Sequence, residues 1–539
     1  MKTRILAVAA MGCMACAAMA QNQYDALRFL GSDLNGTARF VGMGGAMSAL
    51  GADLSTIATN PAGIGLYRSN DAAVSFGWNS NSIKSDWNGT NVTQNSDKMS
   101  FDQIGFVWTT KIGNKTDLRY LNFAFNYHKK ANFTREFNAK GALNNGLSIT
   151  DQMADMLWNA GNDMGPTFLT ESDFNGLLDS QNPYLANKYI GTPFLGTMGA
   201  RTGLVDPVCD PETGEITDMY GWQGQDGEYY SREEGSISEY DFNMSFNVRD
   251  RFYFGVTLGV YDLNYTRYSS YGENLEQGAA LTLDNWAKTE GTGFDLKLGA
   301  IIRPFEYSPF RIGFAIHTPT WYAMTDKYVS TLTSYNIPDY DGKPQTYTEN
   351  LRDYYGEPNY LLDYHLISPW KFNVSAGTTF SGIVALDAEY EYDMYQKSRL
   401  TDTEGYDYNG TTAIDETLKG VHTFRVGMEA CVTPRFSVRA GYNFQSSPIT
   451  DDSFKNIAAT DETRTDPEYF NLKSIQAVTV GLGYRGRIIY ADLAYKYAFY
   501  KGDFYAFDAD YTANGGYALS PAKIDGNRNQ LLLTVGVRF

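Results

Sequence analysis

The chain has 539 residues, a formal net charge of −18, 15% aromatic residues, 52 Gly, and only 4 His and 4 Cys. So acidic a balance excludes nucleic acid as a partner, and so few cysteines imply no disulfide framework. The aromatic residues are dominated by 40 Tyr, which together with the glycines points to β-structure with aromatic surfaces.

In chain order, Lys2 and Arg4 lead an apolar run from Ile5 that closes on Ala18-Met19-Ala20. This is the pattern of a secretory signal, residues 1–20, with cleavage before Gln21. The run is too short and too rich in Ala to span a bilayer. Removing it takes away two bases and no acid, so the balance moves from −18 to −20. Cys13 and Cys16 lie inside the signal without a leucine-led lipobox; Cys209 and Cys431 are far apart, and a bridge between them stays open.

Residues 21–69 are weakly patterned and glycine-rich, with VGMGGAMSALGAD (Val41 to Asp53) followed by ATNPAGIGLY (Ala58 to Tyr67). Gly42-Met43-Gly44-Gly45-Ala46 is not a nucleotide loop, because it lacks the third glycine, a βαβ context and a Lys-Ser/Thr pair. The glycines open backbone conformations closed to other residues, while Pro61 holds a turn rigid and restricts Asn60.

From residue 71 the pattern has period two. In LLLTVGVRF, Leu531, Leu533, Val535, Val537 and Phe539 share one face, and Leu532, Thr534, Gly536 and Arg538 share the other. Similar segments fall near 71–79, 101–110, 119–128, 237–248, 251–263, 292–302, 310–318, 371–380, 382–392, 421–430, 435–445, 475–485, 487–499 and 529–539. Each is roughly ten residues, the length that a tilted strand needs to cross a bilayer, and their number is about fourteen and even. Strands of a soluble sandwich average about five or six residues. The reading is therefore an all-β, 14-stranded antiparallel transmembrane β-barrel over residues 70–539.

Short connections alternate with long ones along the chain, as periplasmic turns and extracellular loops do. The longest loop, 129–236, contains one helical candidate, Thr150 to Asn162, with Met153, Met156 and Leu157 on one face. That face either packs as a lid on the barrel or receives a hydrophobic ligand.

No pattern for catalysis, metal or cofactor emerges. His128, His317, His365 and His422 are scattered, and HExxH, clustered Cys and GxSxG are missing. Asp339-Tyr340-Asp341-Gly342 and Asp402-Thr403-Glu404-Gly405 complete no EF-hand loop and read as solvated turns, with loose calcium binding the alternative. By parity His128 and His317 face the lumen; His422 shares the lipid face with Phe424 and Val426, without the serine that an outer-membrane phospholipase needs. Arg311, Arg425, Glu429 and Arg439 point inward, as do Asp387, Glu389 and Glu391. These charges either compensate one another and anchor a plug, or leave an arginine to receive a ligand carboxylate.

A glycine-rich segment and Ala58-Thr59-Asn60-Pro61-Ala62-Gly63 just ahead of the first strand, about fourteen strands, the hairpin RPFEYSPFRIGFAIHTP (Arg303 to Pro319) and a terminal Phe539 together resemble the FadL family. The resemblance covers essentially the whole mature chain. It implies a monomeric barrel in the bacterial outer membrane, among lipid and lipopolysaccharide. Residues 21–69 would form an N-terminal hatch inside it, with Asn60, Pro61, Ala62, Gly63, Gly42, Gly44 and Gly45 as the hatch motif and Arg311, Arg425 and Arg439 as its anchors or as ligand-carboxylate receptors. It also implies uptake of long-chain fatty acids or other hydrophobic molecules by hatch movement and lateral release into the bilayer, with Phe539 read by the barrel-assembly machinery. A PorV-like surface cargo shuttle and a haemin or aromatic-hydrocarbon importer fit the same features.

Overall fold

The computed structural model describes residues 21–163, 170–184, 192–355, 360–451, 453–455, 463–508 and 518–539; the signal segment 1–20 lies outside the described residues. The alternating segments assemble into one closed sheet. β1 (Asp71–Trp87), β2 (Thr90–Lys111) and β3 (Leu118–Asn132) form a meander, and β4 (Arg135–Ala142) prolongs β3. β5 (Asp206–Cys209) and β6 (Ile216–Tyr220) make a separate hairpin. β7 (Gly224–Val248), β8 (Phe252–Leu275) and β9 (Ala280–Ile302) return to the wall. β10 (Arg311–His317) leads into β11 (Trp321–Pro338), which turns into β12 (Pro344–Asn350). β13 (Tyr360–Ile367) then leads down into β14 (Lys371–Phe380). β15 (Val384–Asp393), the short β16 (Arg399–Thr401), β17 (Val421–Cys431), β18 (Phe436–Gln445), β19 (Tyr469–Arg485), β20 (Ile489–Tyr505) and β21 (Ala522–Arg538) complete the order.

The 14 crossing strands run β1-β2-β3-β7-β8-β9-β10-β14-β15-β17-β18-β19-β20-β21, every neighbour antiparallel. β21 pairs back onto β1 from Asp71↔Arg538 to Asp86↔Lys523, which closes the barrel. The parity explains the solvent. On β21, Leu531, Leu533, Val535 and Val537 are exposed, whereas Leu532 and Thr534 are buried. Phe254, Leu258, Phe314, Val374, Phe424 and Leu482 continue the exposed apolar belt around the wall. A belt of that height is stable only against hydrocarbon. No helix among the described residues is long and apolar enough to cross a membrane.

All fourteen expected strands are present, but several rise well beyond the belt. β7, β8 and β9 have 25, 24 and 23 residues. Their upper outward faces carry Glu228, Arg232, Glu234, Asn264 and Glu290, groups suited to water. The segment after residue 318, expected as loop, is largely strand. β10 and β11 are one strand interrupted at Thr318-Pro319-Thr320, and β13 and β14 are one strand interrupted at Ser368-Pro369-Trp370. Proline offers no N–H to the ladder. Side chains fill the gap: Thr318 Oγ1 accepts from the Leu296 N–H at 3.0 Å, and Ser368 Oγ from the Thr320 N–H at 2.7 Å.

Above the mouth, the helix Ile149–Asp163 packs Met153 and Leu157 against the helix Phe194–Arg201. Phe174, Leu177, Leu281 and Phe507 join the same buried cluster. Its apolar face is thus used in packing, as a lid on the strand tops. Cys209 on β5 and Cys431 at the end of β17 are both free thiols.

Candidate functional site

The segment 21–69 lies along the inner wall, and its local folds follow from its caps. Asn22 Oδ1 accepts from the N–H groups of Tyr24 and Asp25 and starts the helix Gln23–Leu30 with a full capping box. Thr37 caps Ala38–Gly42, Asp53 caps Leu54–Ala58, and Asn60 Oδ1 accepts from the Ala62 N–H at 3.1 Å to begin the 3-10 turn Pro61–Leu66. Pro61 occupies the first turn position, where its missing N–H costs nothing.

This segment is tied to the wall along its whole length, from Asp25, paired with Arg464 at 3.0 Å, and Asn35, which donates to Asp102 at 3.0 Å, through residues 49–64. Asp387 Oδ2 accepts from the N–H groups of Ala49 and Leu50 at 3.1 and 2.9 Å, and Arg311 donates to the Leu50 carbonyl at 2.8 Å. Ser245 donates to the Pro61 carbonyl at 2.9 Å, Asn122 to the Ile64 carbonyl at 2.7 Å, and His317 Nε2 to the Thr59 carbonyl at 3.1 Å. Gly44 takes φ +65° and lies so close to β18 that a Cβ on Gly441 would stand 2.2 Å from its nitrogen. Gly255 and Gly299 leave the same kind of space around Asn60, Pro61 and Ala62. Gly42 donates no side chain but gives its carbonyl to Thr479 at 3.1 Å, while Gly45 takes φ +81° and Gly63 packs on Gly51.

The three arginines singled out by parity all face inward and are all engaged. Arg311 holds Leu50. Arg425 pairs with Glu391 at 2.9 Å and with Glu389. Arg439 pairs with Glu429 and Asp492, both at 2.6 Å, and Glu429 also receives Arg39 of the N-terminal segment. Two lysines that parity did not single out differ from them. Lys130 Nζ lies 4.5 Å from the centre of the Tyr261 ring and 3.3 Å from the Tyr322 hydroxyl; Lys496 Nζ donates to the Leu34 carbonyl at 2.7 Å. Among the described residues neither forms a salt bridge with a carboxylate. Lys130 has the inward parity of Asn126 and His128, but it lies two residues beyond the expected strand end at 128.

Two cavities lie above the tied segment. One, of about 270 Å³, is polar and includes Lys130, Lys496, Arg425 and Asp102 in its lining. The other, of about 300 Å³, is mostly apolar, with Leu27, Phe133, Tyr469, Phe504 and Ile524. Asp33, Asn132, Arg135, Phe470, Tyr500 and Arg528 line both, so the two adjoin.

The polar cavity reaches a break in the wall. β2 pairs with β3 only up to Gln103↔His128; above that β3 bulges at Lys129–Ala131, and β4 pairs with β7 alone. Between the β1–β2 hairpin and β4 only side chains close the wall, among them Asn81 donating to the Thr134 carbonyl at 2.9 Å and Gln94 to Glu136 at 2.7 Å. Asn79, Asn81, Asp102, Asn132 and Thr134 line both break and cavity. On the lipid side, Phe76, Phe101, Tyr127 and Tyr240 form a row of rings 5.6, 5.5 (Phe101 to Tyr127) and 5.2 Å apart below it.

A closed barrel with a lipid-facing belt, a lumen filled from the N-terminus and a lid of loops is a bacterial outer-membrane protein. Its fold is that of the FadL-type barrels: a FadL homologue from Pseudomonas aeruginosa superposes with a TM-score of 0.50 at 12% identity, over 94% of this chain and 99% of that one. The toluene transporter TodX of Pseudomonas putida (TM-score 0.45, 11% identity, 95% and 100% covered) and TbuX of Ralstonia pickettii (0.43, 12%, 94% and 99%) were also matched. No protein-family profile and no curated protein matches the sequence.

Proposed function

We propose that the chain is an outer-membrane channel for uptake of long-chain fatty acids or other hydrophobic molecules, with lateral release into the bilayer. The observation that carries this reading is that an apolar cavity near the mouth adjoins, across shared lining residues, a more polar one that ends at the break between the β1–β2 hairpin and β4. An apolar chain gains about 0.8 kcal/mol per methylene on leaving water, so the hydrocarbon core beside the break is a favourable destination. The ties of residues 36–67 support a floor that stays in place, so the passage turns sideways above it. The stretch 21–35, whose helix borders the apolar cavity at Tyr24, Leu27 and Arg28, is the part of the hatch that a ligand meets, and its ties to Arg464 and Asp102 are the ones that hatch movement would break.

Lys130 and Lys496, without carboxylate partners, suit an anionic head group at the polar end. Arg311 and Arg439 serve as anchors for the hatch, and Arg425 stands at the cavity wall already paired. Phe539 exchanges backbone hydrogen bonds with Asn70 and leaves its ring exposed, in keeping with a terminal signal for the assembly machinery. The FadL homologue and the toluene transporters support a hydrophobic ligand. The test is uptake of a labelled long-chain fatty acid by cells with and without the protein, at matched envelope integrity. Saturable, protein-dependent uptake is expected; equal uptake in both would sink the reading.

A further inference from the structure

The inner wall beside the break carries a group of side chains that neither anchors the N-terminal segment nor faces the apolar cavity. Cross-strand pairing places His128 of β3 directly opposite Glu239 of β7, with Asp241 two residues along the same inward face. On β8 the residue opposite Asp241 is Gly259, whose missing side chain lets Asp295 and Lys297 of β9 lean over the group. The sequence hides this arrangement, because His128 is more than a hundred positions from Glu239 and Asp241 and no linear spacing joins it to them. His128, scattered in the sequence, is clustered in the fold.

Charge and hydrogen bonding in the group do not balance. Glu239, Asp241 and Asp295 bring three carboxylates. Among the described residues Lys297 is the one lysine or arginine that pairs with these carboxylates, with its ammonium on Asp241 Oδ1 at 2.8 Å and on Glu239 Oε1, while Lys130 lies farther off against the Tyr261 ring. The Tyr261 hydroxyl lies 3.0 Å from Glu239 Oε1 and 2.7 Å from Asp295 Oδ2, but its single proton serves only one of them. Asp241 Oδ2 and Asp295 Oδ1 are buried and accept no hydrogen bond from any described residue. Such orphaned carboxylate oxygens are costly unless a cation or water takes them.

The geometry points to a divalent transition-metal site, with His128, Glu239 and Asp241 as its protein ligands. One imidazole nitrogen and one oxygen of each carboxylate lie within 4.8 Å of one another. His128 Nε2 and Glu239 Oε2 are 3.3 Å apart, close to the ~3.3 Å edge of a tetrahedron with metal–ligand bonds of about 2.0–2.1 Å, and Asp241 Oδ2 lies 3.5 Å from the other ring nitrogen, Nδ1. One imidazole with two carboxylates suits zinc better than magnesium or calcium, which prefer oxygen alone. Lys297 stays on Glu239 Oε1 and Asp241 Oδ1, which leaves Glu239 Oε2 and Asp241 Oδ2 to the ion. The polar cavity, lined by His128, Glu239 and Lys297, supplies the entry path and the remaining water ligands. An ion held here ties β3 to β7 at the residue where β3 parts from β2, and so stiffens one margin of the break.

The test uses the full mature protein in detergent with Cys209→Ser and Cys431→Ser, so that no thiol competes for zinc. Calorimetric titration with zinc chloride is expected to show one saturable ion per barrel, with elemental analysis after gel filtration giving the same stoichiometry. His128→Ala and Asp241→Asn should each weaken it by at least about tenfold, while His365→Ala and His422→Ala leave it unchanged. Heat-dependent gel migration reports assembly of each variant. If His128→Ala does not assemble, His128→Gln keeps a polar side chain without the ligating ring, and the visible spectrum of added cobalt(II) should show a site lost in that variant. Absence of saturable binding by the folded protein, or binding that survives both His128→Gln and Asp241→Asn, overturns the proposal.

Discussion

Arg39 of the N-terminal segment and Glu429 of β17 meet fork to fork, with Nε and Nη2 each 3.0 Å from a carboxylate oxygen. Glu429 is also bound by Arg439, and Arg439 in turn by Asp492, so four charges on the segment and three strands form one unit. Removing the carboxylate leaves two guanidinium groups facing each other in a largely buried place, at a cost of about 2 kcal/mol or more. Glu429→Gln is therefore expected to speed amide exchange across residues 38–50 by roughly 30-fold, with the barrel still heat-resistant on gels. Unchanged exchange in those residues would show that the pair does not hold the segment down.

The Asn60-Pro61 turn gives a graded test. Pro61→Gly frees the turn without adding atoms, so the barrel should assemble with a looser segment. Gly299→Val and Gly255→Val act from the opposite side, because a Cβ there would lie 2.2 Å from Asn60 Oδ1 and 2.3 Å from the Pro61 carbonyl carbon. Both should expel the turn and expose residues 58–67 to protease more strongly than Pro61→Gly does. A Gly299→Val protein as protease-resistant as the wild type would remove the packing argument.

The break in the wall can be closed covalently. Asn81 and Thr134 face each other across it, joined by a 2.9 Å hydrogen bond. Asn81→Cys with Thr134→Cys, in a chain with Cys209→Ser and Cys431→Ser, should form a disulfide under oxidation and lower uptake several-fold, and a reductant should restore it. Uptake indifferent to the crosslink would send the ligand by another route. Because the crosslink leaves the mouth untouched, binding of the ligand at the cavities should persist in either redox state.

What the sequence made legible follows the bilayer. Within the belt, strand by strand, one face must be apolar and the other small or polar, and that rule alone locates all fourteen crossings. Above the belt both faces are wet or covered by the lid, so Tyr229, Ser231 and Glu233 point inward while Glu228, Arg232 and Glu234 point outward, and the period fades. This is why the upper half of β7 reads as loop. The interruptions at Pro319 and Pro369 read as strand ends for the same reason: proline stops the ladder locally, but nothing in the sequence says that pairing resumes two residues later. The inward arginines were legible by parity. The contacts that make each an anchor or a wall group, and the continuation of β3 past residue 128 that brings Lys130 to the cavity, belong to tertiary structure.

The lid carries a titrating contact outside the membrane. Glu273, at the top of β8, accepts from the Tyr271 hydroxyl at 2.8 Å and from the Ile149 N–H at 3.2 Å, while its other oxygen has no donor among the described residues. Burial pushes its pKa from 4.5 up to about 7, and burial likewise raises Asp151, in the first turn of the lid helix, from 3.8 to about 6. Both folded values lie above the unfolded ones, so both carboxyl groups bind protons more readily in the docked lid. Their contribution is fully present below about pH 4, and it is lost as pH rises through 6 and then 7. Amide exchange of residues 149–158 should accordingly quicken between pH 5 and pH 8, after correction for intrinsic exchange. Glu273→Gln, which keeps an oxygen for the Ile149 N–H and cannot ionise, should flatten most of that dependence; a variant with the same pH slope as the wild type would place the titration elsewhere.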